Sequence, residues 1–153
     1  MSTIADRLDE LGITLPALTK PVAAYTPAVI TGNLVYTSGQ LPFIDGELPE
    51  TGKLGAGVSD ASGADLARTC ALNALAAVES VIGSLDRVTR IVKVVGFVAS
   101  APDYTGQPGV INGASNVLGE IFGDAGVHAR SAVGVAVLPL DSPVEVELIV
   151  EFA

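Results

Sequence analysis

From His128 to Phe152 the chain alternates with period two in two runs, His128-Ala-Arg-Ser-Ala-Val-Gly-Val-Ala-Val-Leu-Pro139 and Val144-Glu-Val-Glu-Leu-Ile-Val-Glu-Phe152. Successive side chains of a strand point to opposite faces of a sheet, so both runs read as strands and not as helix. The Leu140-Asp-Ser-Pro143 segment between them has hairpin length, which predicts that the two strands pair as antiparallel neighbours. Ser131, Val133, Val135 and Val137 then form a core-facing row, and Arg130, Ala132, Gly134 and Ala136 the opposite one. A row of Ala and Gly leaves room for something to approach closely, and a lone guanidinium stands at its end. Burial of that row against a second copy of the chain is the expectation, hence a homo-oligomer.

The rest of the chain supplies the elements such a sheet needs. Ile4, Leu8 and Leu11 at helical spacing, stopped by Gly12, predict a short helix over Thr3–Leu11, and Leu15–Pro21, with two prolines, an extended connector. Tyr25–Ile30 and Leu34–Gln40, joined by Thr31-Gly-Asn33, form a predicted hairpin. Leu41–Asp60, rich in Gly, Pro and acidic residues, is expected to be a long surface loop. An Ala-rich helix over Ala61–Ile82, with Ser59 or Asp60 able to cap it, a strand over Ile91–Val98 and a second helix over Val110–Phe122 complete the order β-β-α-β-α-β-β. Strand pairs alternating with helices predict an α+β sandwich, a mixed sheet with two helices on one face. With 153 residues, 49% of them hydrophobic, a single domain can bury its own core.

Composition removes several function classes. A net charge of −9 with only eight Lys and Arg argues against a nucleic-acid surface, and an anionic metabolite would need a local cationic pocket. One cysteine, Cys70, and one histidine, His128, exclude an internal disulfide and the usual metal clusters, so no metal is expected. No apolar run reaches membrane-spanning length and the N-terminus has no leader pattern, so the expectation is a cytoplasmic protein with no membrane and no nucleic-acid partner.

Individual residues leave alternatives open. Arg130 reads first as a cross-strand ion pair with Glu151, which the hairpin register places opposite it. Ser38-Gly39 is either a bend or a place where backbone N–H groups meet a ligand. Asn112 is either a helix N-cap or a ligand contact. His128 reads as an exposed loop residue before a catalytic base, Tyr25 as a strand aromatic, and Cys70 as a small buried apolar residue.

Tyr25, Thr37-Ser38-Gly39-Gln40-Leu41-Pro42, Asn112, Ala129-Arg130-Ser131, Leu138-Pro139 and Val144-Glu145-Val146-Glu147, in that order, resemble the RidA/YjgF family of reactive-intermediate deaminases. The match covers roughly Tyr25 to Phe152, which makes 25–153 the RidA-like domain and 1–24 an N-terminal extension with a short helix and a Pro-containing connector. The resemblance implies a chorismate-mutase-like fold, a homotrimer with clefts between subunits, and cofactor-free hydrolysis of enamine or imine intermediates of the 2-aminoacrylate type to 2-keto acids and ammonia. By motif, Arg130 corresponds to the carboxylate-binding arginine and Glu145 to the acid that positions water. Tyr25, Ser38, Gly39 and Asn112 correspond to residues lining the cleft. Better-characterised members often carry Cys and an acidic residue where this chain has Ala132 and Gly134, so it resembles a less characterised branch. If the hairpin turns near Leu140-Asp141, Glu145 lies six residues from the level of Arg130, about 20 Å, so an acid sharing its substrate would come from another subunit. The alternative function is a non-catalytic trimer that binds a small carboxylate metabolite. A chorismate mutase, which would recruit Arg87, Arg90 and Lys93 around a dianion, ranks third.

Overall fold

The computed structural model describes residues 2–18 and 24–153; part of the connector expected over Leu15–Pro21 lies outside them. Helix α1 (Ile4–Glu10) opens on a capping box in which Thr3 and Asp6 each accept the other's backbone N–H. Strands β1 (Ala28–Thr31) and β2 (Leu34–Thr37) form the predicted hairpin, with Thr31 opposite Leu34 across Gly32-Asn33 and Gly32 at φ +59°. The loop that follows holds a two-stranded parallel patch, β3 (Lys53–Leu54) and β4 (Gly57–Val58). Helix α2 (Asp60–Ile82) is capped by Ser59, whose hydroxyl accepts the Ser62 N–H, and ends at Gly83. Strand β5 (Val88–Ala99), helix α3 (Gln107–Phe122), strand β6 (Ala129–Val135) and strand β7 (Val144–Phe152) complete the order.

Five strands make one mixed sheet in the order β1-β2-β7-β5-β6, antiparallel throughout except for β5 and β6. Helices α2 and α3 pack together on one face. Ala67, Ala71, Ala74 and Ala77 are fully buried, and their small volume lets α2 lie close to the sheet. Gly113 of α3 is equally constrained, because a Cβ there would run into the Ala64 carbonyl of α2. Helix α1 docks at the far end of α3, where Arg7 Nε donates to the Glu120 carbonyl at 2.8 Å.

The pairing of the two C-terminal strands is corrected. Strands β6 and β7 run antiparallel to each other, yet β5 lies between them. Val94 of β5 is level with Arg130 on one side and with Leu148 on the other. The connection that looks like a hairpin turn instead straddles the end of β5: the Val135 carbonyl accepts the Ser100 N–H and the Pro143 carbonyl accepts the Ala99 N–H, both at 2.9 Å. Strand β5 takes the place between β6 and β7 because it is apolar on both faces, with Val94 and Val98 towards the helices and Val95 and Phe97 away from them. The predicted pairing of Arg130 with Glu151 fails with the hairpin. Glu151 lies level with Leu34 and Arg90 and accepts the Thr89 hydroxyl at 2.7 Å.

The two faces of β6 are also the reverse of expectation. Arg130, Ala132 and Gly134 lie level with Val94, Gly96 and Val98 on the helix side, and a Cβ on Gly134 would sit 2.6 Å from the Gln107 amide nitrogen. The small residues of this row admit α3, while Gly134 and Ala136 stay exposed. Ser131, Val133 and Val135 belong to the helix-free face, where Val29, Tyr36 and Val133 are 51%, 40% and 45% exposed beside Phe97 and Ile149. That is the face left without cover.

Candidate functional site

The candidate residues gather into two groups on opposite sides of the sheet. The first forms where β6 begins against α3. Pro108, Asn112 and Ser115 are four and then three residues apart, so they share one face of α3. All three accept from Arg130: its Nη1 donates to Asn112 Oδ1 at 2.7 Å and to Ser115 Oγ at 3.2 Å, and its Nη2 to the Pro108 carbonyl at 3.3 Å. Asn112 is therefore not a helix N-cap; that place is taken by Gly106, and Asn112 lies inside the helix. His128 is half-buried and held at both ring nitrogens, Nδ1 2.6 Å from the Gly126 carbonyl and Nε2 2.9 Å from Ser115 Oγ, which corrects its reading as an exposed loop residue.

Every partner of Arg130 among the described residues is a neutral oxygen. Among the described residues the ion pairs are Arg7–Glu10 and Arg68–Glu120, so no carboxylate neutralises this half-buried guanidinium. Among the described residues three of its five N–H groups find acceptors, which leaves the one on Nε and one on Nη2.

The second group forms where β2 runs out beside β7. Gln40 and Val146 exchange backbone hydrogen bonds of 2.8 and 3.0 Å, which press Gly39 against Glu145; a Cβ on Gly39 would lie 2.8 Å from the Glu145 carboxyl carbon. Ser38 turns inward, its N–H to the Pro27 carbonyl and its hydroxyl to the Thr26 carbonyl, both at 2.7 Å. The N–H groups of Ser38 and Gln40 are thus spent, while that of Gly39 has no acceptor among the described residues. Tyr25 is the residue before Thr26, which accepts the Ser38 hydroxyl, and is 61% exposed. Burial, and then the neighbouring charge of Glu147, push the Glu145 carboxyl above the ordinary glutamate range.

Arg130 and Glu145 do not meet within one chain, though not for the hairpin reason. Their levels on β5 are Val94 and Phe97, three residues and hence opposite faces apart, with two strand spacings between them. At about 4.8 Å per spacing and about 3.3 Å per residue, their backbones are roughly 14 Å apart.

The remaining candidates lie elsewhere. Cys70 is fully buried with its sulfur 3.9 Å from the Val144 carbonyl, and burial pushes its thiol well above the usual range, as a packing role requires. Arg87 donates to the Ile82 and Ala153 carbonyls and lies 5.1 Å over the Phe152 ring, and Lys93 is on the opposite face from Arg130, so these cations do not converge on it. Ser115 is the contact that sequence reasoning missed. Its spacing of three from Asn112 was the available signal. Among the described residues no three His, Cys, Asp or Glu side chains gather as a metal site would need, and no helix is long and apolar enough to cross a membrane.

Similarity to known proteins follows this architecture along nearly its whole length. Protein TCP17 of Trypanosoma cruzi is 44% identical over 97% of this chain and 93% of its own length. The 2-iminobutanoate/2-iminopropanoate deaminase of Dermatophagoides farinae is 33% identical over 90% of this chain and 93% of its own. The crystal structure of Atu1372, a protein of unknown function from Agrobacterium tumefaciens, superposes with a TM-score of 0.91 at 46% identity, covering 98% of this chain and 92% of that one. The family model described as "YjgF/chorismate_mutase-like, putative endoribonuclease" matches residues 5–152, and the chain belongs to this YjgF/RidA family.

Proposed function

We propose that the protein hydrolyses enamine and imine intermediates of the 2-aminoacrylate type to 2-keto acids and ammonia, in clefts between the subunits of a homotrimer. The observation that carries this reading is Arg130: a half-buried cation, fixed by three neutral acceptors, with two donors left over. A planar guanidinium matches a carboxylate with two parallel hydrogen bonds. The deaminase of Dermatophagoides farinae, 33% identical, lends the reaction class. A charge of −9 weighs against the endoribonuclease in the family's description, since phosphate backbones are held by clustered cations.

An imine of a 2-keto acid carries a carboxylate beside an electrophilic carbon. With the carboxylate on Arg130, water adds to the C=N carbon of the protonated imine while Glu145 takes one of its protons, which leaves a neutral carbinolamine. Glu145 returns that proton to the nitrogen, the C–N bond breaks and ammonia leaves as the hydroxyl oxygen forms the C=O bond of the keto acid and gives its proton to Glu145, from which it passes to solvent or ammonia. A carboxyl raised above its ordinary pKa can both accept the first proton and return it. The Gly39 N–H, which has no acceptor among the described residues, is available to a substrate oxygen. No organic cofactor or metal is required by these steps.

Because the two groups lie on opposite sides of one chain, the reading joins Arg130 and Asn112 of one copy to Glu145, Gly39, Ser38 and Tyr25 of the next. Such a head-to-tail contact repeats around a closed ring, and a ring would also cover the exposed sheet face. The experiment is pyruvate release from 2-aminoacrylate generated in situ. The parent protein should accelerate it, and Arg130→Ala should slow it about a hundredfold or more with the oligomer intact. Arg130-dependent pyruvate binding with no acceleration would assign the site to carboxylate sensing. Absence of both sinks the carboxylate reading.

A further inference from the structure

We propose that Ser115 and His128 are positioning residues for Arg130, forming a hydrogen-bonded relay from the Gly126 carbonyl through His128 and Ser115 to the guanidinium. The relay rests on the reading of Arg130 as a carboxylate anchor, and it says what decides which two N–H groups the anchor presents.

The direction of each bond follows from what each atom can do. A carbonyl only accepts, so the 2.6 Å contact from Nδ1 to Gly126 puts a proton on Nδ1. With the Nδ1 proton so committed, an Nε2 that carries no proton of its own accepts the Ser115 hydroxyl proton across 2.9 Å. With its proton committed to His128, the Ser115 oxygen turns its lone pairs towards Arg130 Nη1, 3.2 Å away. Without that acceptor, a serine inside a helix turns its hydroxyl to a carbonyl one turn back, and the lone pairs swing with it.

Both hydrogen-bond partners of the histidine are held against the same helix. Ser115 belongs to α3, and Gly126 is buried so tightly against α3 that a Cβ there would collide with the Leu118 carbonyl. The histidine is thus a spacer between two groups held against α3, and Arg130 is aimed by the same helix through Asn112 and Pro108. Once Nη1 is saturated by Asn112 and Ser115, the open donors lie on Nε and Nη2.

The test is calorimetric titration of the full-length chain with pyruvate, using Ser115→Ala, His128→Phe, their double variant, His128→Gln and Arg130→Ala. Phe keeps the ring volume without nitrogens, whereas Gln can place an acceptor oxygen near the former Nε2. Ser115→Ala and His128→Phe should each raise the pyruvate Kd about tenfold, and the double variant no more than about twofold beyond either. His128→Gln should recover most of the loss. Ser115→Ala within about twofold of the parent, or effects that multiply in the double variant, would overturn the relay. If Arg130→Ala abolishes binding while both relay variants bind normally, the relay fails and the anchor stands. Parent-like binding by Arg130→Ala overturns the anchor and the relay with it. Should His128→Phe fail to fold, Ser115→Ala and His128→Gln decide alone.

Discussion

The α3–β6 edge and the β2–β7 junction hold one charge each, and they hold them differently. Arg130 has three hydrogen-bond acceptors from α3 on a single side and none of them charged. Glu145 has no hydrogen-bond donor among the described residues; it is pressed onto Gly39 and pushed towards protonation by burial and by Glu147. The first arrangement orients a group that stays charged at any working pH, and the second tunes a group that must change its charge. An anchor has to be aimed, whereas an acid–base group has to be uncomfortable. Placing the two on opposite faces keeps the cation and the acid of one chain from pairing with each other.

The sharpest way to break this division is to separate the two halves between chains. Arg130→Ala and Glu145→Gln should each lose turnover about a hundredfold. Co-assembled at equal ratio they should recover about a quarter of parental activity, because one subunit contact in four pairs an intact Arg130 with an intact Glu145. Mixed assemblies as inactive as their components would place the whole site within one chain.

A smaller effect distinguishes aiming from tuning. Gly39→Ala adds a methyl that displaces the Glu145 carboxylate while the backbone stays put. Its kcat should fall about tenfold, with pyruvate Kd within about twofold of the parent. Equal losses in both would mean that the two halves are not independent.

The smallest effect is thermal. Folding raises the Glu145 pKa above the ordinary 4.5, so the folded chain binds the extra proton, and stability is lost as pH rises through that window. Glu145→Gln removes the penalty. Its Tm should exceed the parent's at about pH 7 and converge with it below about pH 4. A Tm difference independent of pH would assign the penalty to packing.

How much of this was legible depends on the range of the information involved. The β1–β2 hairpin is local, fixed by Gly32-Asn33, and α2 announces itself through its cap and its Ala stripe. The partner of β6 is not local: alternation makes a strand but does not choose its neighbour, and β5 carried the cue in being apolar on both faces. Period two likewise sorts β6 into two rows without saying which is inside. Val133 reads as core and Ala132 as facing a second copy, because a row of small residues is taken as an interface, whereas α3 packs against the small row. The motif residues did cluster, Asn112 with Arg130, and Ser38 and Gly39 beside Glu145. That they form two clusters depends on sheet order, which no spacing along the chain reveals.

The sheet order bears on how the chain can be assembled as it is made. Strand β7 follows every other strand of the sheet in sequence, yet it lies in the middle, pairing with β2 on one side and β5 on the other. The N-terminal hairpin and the β5–β6 pair are therefore two unjoined pieces, each with an open edge, until β7 has been synthesised and inserted between them. A nascent chain stalled before Val144 would present both edges to its neighbours on a polysome, where intermolecular strand pairing competes with the missing insertion.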